Sequence, residues 1–163
     1  EPVYYEKDDL GTDFFKVLMA SSSLPFIAKP VEFRGKTLLD GGLTDSIPLR
    51  RCLSDGNRKA VLILTREKGY RKKPPRFSFH IGLMYPRFPG LRNAYENRYR
   101  EYNEIMDEIE EREARGEIFV IRPERPLDVG RVERNKDKLY LVYDYGYDVG
   151  NARFSELERY LES

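Results

Sequence analysis

At 163 residues the chain has the size of one domain, long enough to bury a single core. Its 29 lysines and arginines stand against 28 aspartates and glutamates, so no long-range field favours nucleic acid or an acidic polymer, and a nucleic-acid role is set aside. One cysteine, Cys52, excludes an internal disulfide framework and points to a reduced, cytoplasmic compartment, with the thiol read as a small buried hydrophobe.

No apolar run approaches bilayer-spanning length, and no charged-then-apolar leader opens the chain. The chain begins at Glu1-Pro2-Val3 without a methionine, so the expectation is a piece of something longer.

Val3-Tyr4-Tyr5 is strand-like, and Asp8-Asp9 offers a cap for a helix through Leu10, Phe14, Val17, Leu18 and Ser21, whose apolar residues share one face. Pro25 stops it, because the residue before a proline disfavours helical ψ. None of Ser21, Ser22 and Ser23 is flanked as Gly-x-Ser-x-Gly, so they read as a helix terminus rather than a nucleophile. Val31 to Phe33, the Arg34-Gly35 turn and Lys36 to Leu39 predict a hairpin, since glycine tolerates the positive φ of such a turn.

The second arm delivers Asp40 and then Gly41-Gly42, the pattern of a strand that stops at an exposed turn and holds one polar atom in a cleft. Ser46 or Ile47 followed by Pro48 opens a helix through Leu49 and Cys52 to Leu53. Ala60 to Thr65 is apolar at consecutive positions, as expected of a central strand covered on both faces by helices.

From Arg66 to Arg76 the chain is basic and proline-rich, an exposed loop whose Arg71, Lys72 and Lys73 are candidate contacts for anionic lipid headgroups. The aromatic stretch from Phe77 to Phe88 reads as a lid or interfacial segment, or equally as a cover over the core. It holds the one histidine, His80, better read as a core residue than as a base. Leu91, Tyr95, Tyr99, Tyr102, Ile105, Met106 and Ile109 predict a long amphipathic helix from Leu91 to Arg115, laced by Glu96 with Arg100, Glu108 with Arg112 and Glu111 with Arg115.

Gly116 ends that helix and Glu117 to Ile121 forms another apolar strand closed by Pro123. Val132 to Tyr145 and Asp148 to Leu161 predict two closing helices separated by Gly146. Helix and strand alternate, and the whole adds up to an α/β layered domain of helix, sheet and helix, with no internal repeat.

A carboxylate on a glycine turn serves as a base toward a serine hydroxyl, as an orienting acid behind a histidine, or as a metal ligand. No ligand spacing accompanies Asp40 and Asp45, so no metal is expected, and His80 is a poor triad member. What survives is an aspartate that activates serine directly.

Ala20-Ser21-Ser22-Ser23-Leu24-Pro25-Phe26, the run from Leu38 to Pro48 through Asp40-Gly41-Gly42, and the basic loop after Leu64-Thr65-Arg66 resemble the C-terminal half of a bacterial patatin-like phospholipase. Gly116 to Pro123 and Tyr143 to Asp148 fit the same subfamily, which extends the resemblance over nearly the whole chain. The resemblance implies a Ser-Asp dyad lipid acyl hydrolase that needs no cofactor, with Asp40 matching the catalytic aspartate and Gly41 and Gly42 forming its supporting turn. It further implies an incomplete central sheet, a catalytic part over residues 1–65, a basic and aromatic loop or lid over 66–90, and a helical extension over 91–163 with one strand at 117–122.

The family's oxyanion segment and Gly-x-Ser-x-Gly elbow have no counterpart here, so the chain alone is expected to be inactive on lipid or other esters. Two rival readings and one further expectation stand beside this one. A non-catalytic module docking on a membrane surface or partner through Arg71 to Phe88 is the alternative. A phosphate module on Gly41-Gly42 lacks the Gly-x-x-x-x-Gly-Lys pattern. Open sheet edges should recruit a second copy of the chain into a homo-oligomer.

Overall fold

A computed structural model describes residues 1–75, 79–130 and 132–163, with only the backbone at 79 and 80. The expectations for Phe77 and for the side chain of His80 lie outside the described residues. The chain forms a mixture of helices and small sheets, consistent with the α/β class. It divides into two compact units that interleave in sequence, Glu1–Pro48 with Lys72–Ile105, and Leu49–Arg71 with Met106–Ser163.

In the first unit, short 3-10 turns over Lys7–Asp9 and Gly11–Asp13 lead into helix α1, Phe14–Ser21. Strands β1, Val31–Phe33, and β2, Lys36–Leu38, pair antiparallel with Val31 opposite Leu38 and Phe33 opposite Lys36. The turn between them places Arg34 at φ 47° and Gly35 at φ 73°, the doubly left-handed geometry that matches the twist of a two-residue hairpin. Val31 and Phe33 are buried while Glu32 between them is exposed, and Tyr5 stacks edge-on against Phe33 at 5.2 Å.

A 3-10 turn over Gly41–Leu43 follows β2. Its Leu43 joins Ile81 and Leu91 in a buried cluster onto which Leu39, Tyr85, Phe88 and Tyr95 pack. Helix α3 spans Phe79–Met84 and α4 spans Pro89–Ala114, with α4 contributing to the first unit as far as Ile105. The stretch expected to be either a lid or a cover over the core therefore divides, with Ile81 inside the core and Leu83 and Met84 exposed.

In the second unit, helix α2, Leu49–Ser54, leads to strand β3, Val61–Ile63, which pairs parallel with β4, Phe119–Ile121. Leu62 and Val120 are buried, together with Ile118 and with Met106 and Ile109 of α4. The expectation of a strand covered on both faces is not met. Ile63 is 76% exposed and Val61 39%, so the face they share with Phe119 and Ile121 is covered only in part, where Phe119 is buried.

The two closing helices expected around Gly146 are one helix, α5, Lys136–Glu162. Asn135 caps it, its side-chain oxygen accepting from the N–H groups of Asp137 and Lys138, so Asp148 is an interior residue rather than a cap. Packing decides the continuity. A glycine in a helix costs about 1 kcal/mol, and α5 recovers more than that where Tyr160 lies against Phe119 at 5.7 Å and hydrogen-bonds Ala60 and Glu117. Arg153 also stacks over Phe119, at 4.8 Å.

Candidate functional site

Asp40 leaves the end of β2 at the point where the chain turns into the Gly41–Leu43 segment, and it caps that turn. Its Oδ1 accepts the N–H of Gly42 at 2.8 Å, and its own N–H donates to the carbonyl of Ser23 at 2.9 Å. The aspartate is therefore held from both sides, by the turn it begins and by the end of α1.

The three serines behave as the terminus expected of them. Ser22 and Ser23 return their hydroxyls to carbonyls of α1, Ser23 to Met19 at 2.8 Å while almost fully buried. Ser21 is exposed, with its Oγ 3.6 Å from the point a Cβ on Gly41 would occupy.

Gly42 has no room for a side chain. An added Cβ would lie 3.0 Å from Asp40 Oδ1 and 3.5 Å from Nη2 of Arg98. The carbonyl of Gly42 accepts from Arg98 Nε at 2.6 Å and from Ser46 Oγ at 2.8 Å, and Ser46 Oγ in turn accepts from Lys72 Nζ at 3.3 Å. Lys72 also places its ammonium 3.7 Å from the ring centroid of Tyr102, while Asn103 clamps its backbone by accepting from its N–H and donating to its carbonyl.

Asp40 opens onto a cleft of about 710 Å³, in the range of a small-molecule site. Tyr4, Val17, Ser21, Leu38, Leu43 and Phe88 are among its walls. Tyr4 reaches across to Asp45, its hydroxyl donating to Oδ2 at 2.5 Å. Among the described residues no cluster of three or more histidine, cysteine, aspartate or glutamate side chains gathers to hold a metal ion, and no helix is long and apolar enough to cross a membrane.

The basic residues expected at a lipid surface occupy different surroundings. Arg71 binds Asp107 at 2.5 Å and Glu110 at 3.1 Å, and this hydrogen bond holds the Glu110 carboxyl below its ordinary value against the opposing effect of partial burial. Lys72 serves the network just described, and Lys73 is exposed.

Arg98, Ser46 and the Tyr4–Asp45 bond were not singled out from the sequence. A signal for Arg98 exists: it stands between Tyr95 and Tyr102, in the row Leu91, Tyr95, Arg98, Tyr102, Ile105, where the helical period calls for an apolar residue.

Residues 2–53, which carry α1, the hairpin and the Asp40 turn, match the family model of patatin-like phospholipases. Residues 88–162 match a second model, a domain of unknown function, DUF6363. The chain is also similar to the uncharacterized protein YjjU of Escherichia coli (strain K12), at 28% identity over 131 residues that cover 74% of this chain and 37% of the relative. It thus spans little more than a third of that relative's length. The patatin-like match is narrower than the expected resemblance and lies on the N-terminal side of the chain. The stretches at 116–123 and 143–148 fall inside the match to the domain of unknown function.

Proposed function

We propose that this chain carries the acid half of a serine-aspartate acyl-ester hydrolase of the patatin-like kind, with a lipid ester as substrate class and the nucleophilic serine contributed by a segment outside these 163 residues. The observation that carries the reading is the Asp40 carboxylate, fixed through Oδ1 by the Gly42 amide at the edge of a 710 Å³ cleft, within the residues that match patatin-like phospholipases.

With Oδ1 engaged, Oδ2 is the oxygen that takes the serine proton. The serine oxygen then attacks the ester carbonyl, and the carboxylic acid returns the proton to the leaving alcohol. Water, deprotonated by the same carboxylate, cleaves the acyl-serine and regenerates both groups. No cofactor enters, and the apolar wall of the cleft suits an acyl chain. The reading includes the layered helix, sheet and helix architecture of such enzymes, with the exposed Ile63 of β3 as one place where further structure fits. A cytoplasmic enzyme working at membrane surfaces is the corresponding setting.

A fluorophosphonate probe tests the reading, because it labels activated serines covalently. This chain alone should stay unlabelled, and the longer polypeptide should be labelled at a serine outside residues 1–163. Labelling of Ser21, Ser22 or Ser23 would contradict the proposal.

A second reading, a membrane-surface module without catalysis, is favoured by one observation: Leu83 and Met84 on α3 are 70% and 62% exposed. Co-sedimentation with anionic vesicles separates the two. Binding lost in Leu83→Ser with Met84→Ser supports docking, and binding unchanged by both substitutions opposes it.

A further inference from the structure

An arginine in the apolar row of a helix must bring its charge to a partner, because an ionised group facing a core is costly unless it is hydrogen-bonded. Arg98 occupies such a position in α4, one turn from Tyr95 and one from Tyr102. Its partner is the backbone of the Asp40 turn. Nε donates to the carbonyl of Gly42 at 2.6 Å, and Nη2 lies beside the same glycine on the side that faces Asp40 Oδ1.

We infer that Arg98 is a positioning residue for Asp40, and that the segment matching the domain of unknown function supplies the buttress of the patatin-like acid turn. The inference rests on the reading of Asp40 as the dyad acid.

A carboxylate held by the amide of a residue two positions along is only as well placed as that residue. Gly42 lacks a side chain to pack, and a glycine backbone left to itself samples more conformations than any other. Its carbonyl is held by two donors from different parts of the chain, Arg98 on α4 and Ser46 on the approach to α2. Ser46 is itself oriented by Lys72, whose backbone Asn103 clamps to α4.

Two anchors on one carbonyl set the orientation of Gly42, and the Gly42 amide then sets Asp40. Charge-assisted bonds are the stronger kind, so Arg98 dominates the pair. Residue 98 lies within the DUF6363 match, whereas Asp40 and Gly42 lie within the patatin-like match.

The test reads hydrogen exchange of the Gly42 amide by 15N NMR in this chain. In the wild type that amide is protected, because it donates to Asp40 Oδ1. In Arg98→Gln its protection should fall about fivefold or more, and in Ser46→Ala by less, since each removes one of two donors of unequal strength. Arg98→Lys, which keeps the charge and a donor, should restore part of it. Methyl signals of Ile81 and Leu91 report whether the first unit stays folded. A folded Arg98→Gln with wild-type protection of the Gly42 amide overturns the inference, and so does an Arg98→Lys no better than Arg98→Gln.

The readout requires no ester turnover. If the longer polypeptide proves inactive, the hydrolase reading fails while the Gly42 result stands. If Gly42 ignores Arg98 in an active enzyme, the positioning role fails alone.

Discussion

The amide of Gly42 donates to Asp40 Oδ1 at 2.8 Å, across a single intervening glycine. The two glycines of the motif are consequently unequal. A methyl group on Gly42 would press on the Asp40 carboxylate at 3.0 Å, whereas one on Gly41 meets its nearest neighbour, the Oγ of exposed Ser21, at 3.6 Å, an ordinary contact. Gly42→Ala should therefore lower stability by about 1–3 kcal/mol, as overpacking does, and shift the Asp40 resonances, while Gly41→Ala stays within about 0.5 kcal/mol. Thermal denaturation of the two variants side by side checks this, and equal losses would refute the asymmetry.

Helix α5 offers a test through the same residue type. Gly146 and Gly150 stand in its interior, and a Cβ on either meets nothing within 4 Å. Alanine at each should raise stability by roughly 0.5–1 kcal/mol, the helix-propensity difference. Were the segment two helices with Gly146 in a left-handed terminus, Gly146→Ala would destabilise instead.

The hairpin turn carries the opposite prediction. Gly35 sits at φ 73° with open space around it, so a β-branched residue there suffers from backbone strain alone. Gly35→Val is expected to cost about 1–2 kcal/mol and to weaken the pairing of Val31 with Leu38. Hydrogen exchange at Val31 and Phe33 measures it, and unchanged protection would count against the turn geometry.

Acid sensitivity is expected from the second unit. Glu110 is held below its ordinary value of 4.5 chiefly by the hydrogen bond from Arg71, and Glu108 likewise by Arg50 and then Arg112, each against partial burial. A carboxyl depressed in the folded chain binds its proton less readily there than when unfolded. Its contribution is therefore present above pH 4.5 and lost as the pH falls through the depressed value. These pairs are part-exposed, so each contributes only ~0.5 kcal/mol. Melting temperatures at pH 7 and pH 3 should differ less in Glu110→Gln than in the wild type; an undiminished difference would show that Glu110 is not among the groups responsible.

Local chemistry made much of this legible in the sequence. The Arg34-Gly35 pair marked the hairpin, the period of Leu91 to Ile109 marked α4, and an apolar run ending in an acid before two glycines marked Asp40. Longer-range facts stayed hidden for physical reasons. Gly146 read as a stop because propensity is local, whereas Tyr160 and Arg153 hold α5 against Phe119 from far along the chain. The consecutive apolar residues of β3 announced burial but not what would provide it, and Ile63 is exposed. The basic run at 71–73 read as one patch, yet Arg71 answers Asp107 and Glu110 while Lys72 answers Ser46 and Tyr102. Arg71 and Lys72 each have partners more than 25 residues away, beyond the reach of any local pattern.

Strands with open edges recruit others, and both sheets have only two strands among the described residues. A second copy pairing along β3 or β4 is expected, visible as a concentration-dependent mass in light scattering, and a constant monomer mass would exclude it.

Asp40 is proposed as a base acting on a serine outside residues 1–163. The measurement that bears on it most directly is steady-state hydrolysis of a short-chain nitrophenyl ester by the longer polypeptide, with and without Asp40→Asn. A fall in kcat of roughly 10³-fold or more with KM little changed is expected, and no turnover by residues 1–163 alone. Hydrolysis that persists in Asp40→Asn at the wild-type rate would contradict it.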